Sequence, residues 1–183
     1  MRKQMIINGG LLLLLLLAFT LPAAAQQPSA QVTHYYKNGL AFDYPASMQI
    51  EDLSKEDGQQ LVLTTGKQGA QIMVISRFDK INSAQELAAA RKEHADGFAE
   101  TMYGELLKLD PKTTRASAQV EIAGTQAPGT RLRATLDNQP GSAEVYSVLL
   151  GKRLVLVTII GPDKEIAAAA NAWATIRSSL KVE

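Results

Sequence analysis

Cysteine is absent from the 183-residue chain, histidine occurs twice, and aromatic residues make up 5%. Without sulfur ligands a zinc ribbon, an iron–sulfur centre, a disulfide scaffold and a thiol nucleophile are all excluded. An excess of charge of one sign is missing as well. Nineteen basic residues against 18 acidic leave +1, whereas a dedicated nucleic-acid binder carries a large basic excess. Several chemical signatures are equally lacking. No Gly-x-Ser-x-Gly elbow marks a serine hydrolase, and Glu51-Asp52 with Glu56-Asp57 lacks the Asp-x-Asp-x-Asp-Gly spacing of a calcium loop. Those acidic pairs also lack the aromatic groove expected for glycoside cleavage. Gly66-Lys67-Gln68-Gly69 leads into a strand-like run and not a helix, so it reads as a hairpin reversal and not a phosphate loop.

Long apolar runs occur only at the N-terminus. Arg2 and Lys3 precede Leu11 to Leu17, and Ala23-Ala24-Ala25 places small residues at −3 and −1 before Gln26. This order is that of a secretory signal peptide over residues 1–25, cut after Ala25 with Ala23 and Ala25 as the recognised positions. An uncleaved anchor is disfavoured, because Leu11 to Ala25 falls short of the ~20 residues that span a bilayer core. No cysteine follows the run, which excludes a lipoprotein. A periplasmic or secreted protein of 158 residues with 17 basic and 18 acidic side chains is expected. A chain that long buries enough surface to fold without a staple. Residues 26–32 read as a flexible leader and residues 33–183 as a single domain.

Within that domain, Tyr35 to Tyr44 reads as a hairpin around Asn38-Gly39, whose two residues tolerate φ > 0. Glu51 to Gln60 reads as a solvated loop. Leu61 to Thr65 and Gln71 to Phe78 read as strands. A helix starts near Ser83, with Ser83 and Glu86 as a capping box. Leu87, Ala90, Arg91, His94, Phe98, Met102 and Leu106 fall on one stripe of it, and Gly97 is read as allowing close approach to the sheet. From Ala118 the period becomes two. Asn138 to Ser142, including Pro140-Gly141, reads as a turn, and Gly151-Lys152 reads as a II′ hairpin turn. A second helix runs from Asp163, as its cap, to Leu180. Ile166, Ala169, Ala170, Trp173, Ile176 and Leu180 share one face, and the small residues bring the helix close to the sheet.

Ile72-Met73-Val74-Ile75 and Leu154-Val155-Leu156-Val157 are apolar at every position. Such strands need cover on both faces, and the two helices supply it. The expected fold class is therefore α+β, a predominantly antiparallel sheet of about seven strands sandwiched by two long helices.

Three places carry a family resemblance. They are Gly39-Leu40-Ala41-Phe42-Asp43-Tyr44-Pro45, Gly151-Lys152-Arg153-Leu154-Val155-Leu156-Val157-Thr158, and Pro162 to Ser179 with Trp173, Ile176 and Ser178-Ser179. In this order they resemble the PsbP-like superfamily, which includes the periplasmic DcrB proteins and the Ran-binding Mog proteins. Met48 stands where family members often carry a tryptophan. The resemblance implies an antiparallel sheet between helices and a role in assembly, partner binding or the envelope, with no enzyme active site.

Few side chains stand out as chemistry. His34 beside Tyr35 and Tyr36 reads as strand-edge surface, and His94 on the helix stripe as a half-buried, hydrogen-bonded ring. Neither has a metal-ligand partner at helical spacing. Arg115, Arg131 and Arg133 could form a basic stripe on one sheet face for an anionic lipid or acidic partner. The alternative is surface charges matched by Glu121 and Glu144 across strands. The expected function is thus an exported, non-catalytic PsbP/DcrB-like domain binding a protein or cell-envelope component. It takes no cofactor, metal or nucleic acid, and keeps no transmembrane segment after cleavage. A small-molecule or lipid carrier is the alternative, and would need a continuous apolar cavity of ~300 Å3 or more. A hydrolase using His34 or His94 ranks last.

Overall fold

The computed structural model describes residues 31–183 apart from 67, 68 and 137. The signal segment expected over residues 1–25, with Ala23 and Ala25, lies outside the described residues. The first strands, β1 (Val32–Lys37) and β2 (Leu40–Pro45), form the expected hairpin. Asn38 and Gly39 sit at φ 49° and 79°, the left-handed pair that a two-residue I′ turn demands. This hairpin stands apart from the main sheet. It joins a C-terminal strand, β10 (Lys181–Val182), in a small sheet of order β1-β2-β10.

The main sheet contains β3 (Gln49–Asp52), β4 (Gly58–Thr64), β5 (Gln71–Arg77), β6 (Thr114–Ile122), β7 (Thr125–Leu136), β8 (Gln139–Leu150) and β9 (Arg153–Pro162). Its order is β3-β4-β5-β9-β8-β7-β6, antiparallel at every pairing. Gly151 turns β8 into β9 at φ 58°, closing Leu150 onto Arg153. Ala123 and Gly124 turn β6 into β7 at φ 49° and 74°.

Each face of this sheet has its own cover. Alternation along β9 sends Leu154 and Leu156 to one face and Val155, Val157 and Ile159 to the other. The first set meets a long helical segment made of α1 (Ala84–Ala90), a π-helical turn (Arg91–Asp96) and α2 (Gly97–Leu109). Further along that face, Leu106 of α2 packs on Leu132 and Ala143. On the other face lies the principal core. There α4 (Ala170–Ser179) lays Ala172, Trp173 and Ile176 over the sheet, joined by Leu40 and Phe42 of the small sheet.

Local chemistry accounts for the helix starts. Ser83 Oγ accepts from the Glu86 N–H at 3.1 Å, and the Glu86 carboxylate accepts from the Asn82 N–H at 2.7 Å. The return arm of the capping box thus falls one residue earlier than its standard form. The last helical segment is broken at Ala169 (φ −85°, ψ 1°) into α3 (Asp163–Ala168) and α4. Asp163 is the first helical residue and Pro162 the cap. The Asp163 carboxylate is drawn off to Arg133 instead.

Four further expectations change. Pro140 and Gly141 are strand residues of β8, opposite Thr135 and Ala134, and the turn lies just before, with Asn138 at φ 61°. Pro140 needs no second ladder partner because β9 reaches only as far as Gly141. The charged segment 51–60 supplies the end of β3 and the start of β4, because an exposed edge strand shows no apolar alternation. Gly97 approaches nothing in the sheet; its nearest neighbour is the Lys92 carbonyl across the π turn. Finally, β9 is buried on both faces, but Met73 and Ile75 of β5 are half-exposed. The α1–α2 segment covers β9, β8 and β7 and leaves that end of the face thinly shielded.

Candidate functional site

A cleft of about 620 Å3 opens between the π turn and strands β6, β7 and β8. Two features of the sequence make it. Small residues stand on both walls, Ala95 and Ala99 on the helix and Ser117 on β6, so the space between them stays unfilled. The helix is also widened there. The Gly97 N–H reaches back to the Lys92 carbonyl in addition to His94, a five-residue closure of the kind that recurs at functional sites.

The cleft's polar groups are Arg91 and Asp96 from the helix, Arg115 and Ser117 from β6, Thr130 from β7 and Ser147 from β8. Ser147 is buried at 3% exposure, and Val145 beside it contributes apolar wall. Arg115 pairs with Glu100. Arg91 is half-buried, its Nε is sealed from solvent, and it has no hydrogen-bond partner. Helical spacing placed Arg91 on the apolar stripe, but it could not show that β6 would bring Arg115 to the same cleft.

The three arginines singled out from the sequence do not form a stripe. Arg115 stands opposite Leu132, whereas Arg131 and Arg133 stand opposite Glu144 and Ser142. Period-two alternation therefore puts Arg115 on the cleft face and the other two on the opposite face. There Arg131 Nε donates to Glu144 at 2.6 Å, and Arg133 donates two bonds to Asp163 at 2.7 and 2.8 Å. The Tyr146 hydroxyl donates to the second Glu144 oxygen at 2.6 Å, and burial together with that carboxylate pushes the phenol pKa up. Glu144 thus matches Arg131 as the alternative anticipated. Glu121 makes no such pair among the described residues; its carbonyl accepts from Arg177.

His34, exposed on the edge strand β1, binds Asp43 at 2.7 Å. His94 is half-buried and lines a shallow pocket together with Arg77, Phe98 and Thr101. None of the side-chain hydrogen bonds among the described residues involves its ring, in contrast to the expectation. Among the described residues no three His, Asp or Glu side chains converge to hold a metal ion. No helix among them is long and apolar enough to cross a membrane.

Solved structures resemble this architecture. The solution structure of cyanobacterial PsbP (CyanoP) from Synechocystis sp. PCC 6803 superposes with a TM-score of 0.50 at 14% identity, over 89% of this chain and 99% of that one. The fold is PsbP-like. A crystal structure of a protein from Bacteroides thetaiotaomicron VPI-5482 matches with a TM-score of 0.53 at 10% identity. The match covers 84% of this chain and 49% of that chain, so this chain spans about half the length of that one. No family model matches the chain, and no curated protein matches it.

Proposed function

We propose that the chain is an exported, non-catalytic PsbP-like domain that binds a protein or a component of the cell envelope. The cleft beside the π turn carries this reading. It offers guanidinium and hydroxyl groups on a rigid sheet-and-helix wall. None of the hydrogen bonds among the described residues joins a hydroxyl of its lining to a carboxylate or a histidine, and His34 and His94 lie outside that lining. Its polar walls also differ from the continuous apolar cavity that a lipid carrier needs. The leucine run and the Ala23-Ala24-Ala25 site support export.

Two measurements test the proposal. The mass of the chain recovered from the envelope fraction should correspond to a start at Gln26; a full-length product would remove the export step. Crosslinking in the native envelope, followed by mass spectrometry, should return a reproducible partner joined near the cleft. Crosslinks scattered evenly over the surface would count against a binding role.

A further inference from the structure

Arginine is the clue to what the cleft receives. Arg77, Arg115, Arg131 and Arg133 each donate to a carboxylate, and Arg153 and Arg177 to backbone carbonyls. Arg91 is the one arginine among the described residues that donates to nothing. Its dry Nε is shared with Arg77 and Arg177; what sets Arg91 apart is that its terminal nitrogens, which are not sealed, also have no protein acceptor and are free to meet a ligand. Its surroundings are a cleft of about 620 Å3, within the range of small-ligand sites. The hydroxyls of Ser117, Thr130 and Ser147 lie in the same lining. We infer that the cleft binds a carboxylate, which the Arg91 guanidinium grips while those hydroxyls orient the rest of the ligand.

Charge selects carboxylate over phosphate. The two guanidiniums in the lining are offset by Asp96 at its exposed rim and by Glu100, which already holds Arg115. A single negative charge can be matched by Arg91, but a dianion would meet net repulsion. A planar carboxylate also suits the two-pronged donor geometry of a guanidinium. The carboxylate could belong to a free acid or to a peptide C-terminus. The inference rests on the binding role proposed above and names the chemistry of the same cleft.

The test is amide chemical-shift titration of the mature domain with butyrate, N-acetyl-alanyl-alanine, the amide of that dipeptide, and inorganic phosphate. Saturable shifts are expected at residues 91–99 and 129–130 with one or both carboxylates, and not with the amide. Tighter binding of butyrate assigns a free acid; tighter binding of the dipeptide assigns a chain end. Arg91→Gln should weaken binding at least about tenfold. Ser117→Glu, at an exposed position, should do so through repulsion without disturbing the core. Arg133→Gln, on the other sheet face, should leave affinity unchanged. Equal response to the amide, tighter binding of phosphate, absence of saturable shifts, or unaltered affinity in a folded Arg91→Gln protein would each overturn the site. Capture of a crosslinked partner that survives Arg91→Gln would also sink this inference while leaving the binding role standing.

Discussion

Ala123 occupies a backbone conformation that an L side chain resists. At φ 49° it pays a steric cost of roughly 1–2 kcal/mol, held there by the hairpin and by its N–H donating to the Arg177 carbonyl at 2.9 Å. Ala123→Gly should relieve that strain and lose part of the gain to unfolded-chain entropy. A net stabilisation of about 0.5 kcal/mol is expected from urea unfolding; a loss of stability would mean that the methyl packing outweighs the strain. Charge makes a second residue-scale prediction. Lys37 donates to Asp52 at 2.7 Å, tying β1 to β3. That bond, with the Ser54 hydroxyl and amide, lowers the Asp52 pKa from 3.8 to about 2. A depressed carboxylate pKa stabilises the fold above the unfolded value and loses that contribution as pH falls through the folded one. Asp52→Asn should therefore flatten the urea-midpoint profile between pH 3.8 and 2. An acid limb identical to that of the parent would show that the pair contributes nothing.

Elements in this protein dock through a few close approaches. A Cβ on Gly129 would come within 2.4 Å of the Tyr146 ring. The bare strand therefore lets that ring lie flat across β7, 6.3 Å from Trp173 of α4. Gly129→Ala should cost about 1–3 kcal/mol by overpacking. Trp173 is the larger anchor, buried in the principal core with the Arg177 guanidinium 5.1 Å over its ring. Trp173→Ala should cost about 3–5 kcal/mol in chemical denaturation. A loss under 1 kcal/mol would mean that α4 is held chiefly by Ile176 and its small neighbours Ala169 and Ala172.

At the scale of the whole molecule, the two ends of the described chain meet. β10 pairs with β2, the Glu183 N–H donates to the Gly39 carbonyl, and the Tyr36 hydroxyl donates to the Glu183 carboxylate. This small sheet roofs Leu40 and Phe42 over the core. Deleting residues 181–183 should raise hydrogen exchange in β1 and β2 while β8 and β9 stay protected. Uniform acceleration through both sheets would mean that they open as one unit. The sequence by itself determined the main architecture. Apolar residues at every position of β9 required a layer on each face, and the Asn38-Gly39 and Gly151 turns declared two hairpins. The positions of the arginines were decided only in three dimensions. Alternation assigns faces within one strand, but relating two strands needs their register, and that is set at the turn. The β6–β7 turn rests on Ala123, a residue that seldom adopts positive φ, so Gly124 alone marked it. That turn sets Arg115 opposite Leu132 and thereby separates it from Arg131 and Arg133. The environment of Arg91 was hidden for the same reason: a helix stripe shows which side chains point inward, and only packing shows whether anything there can accept their hydrogen bonds.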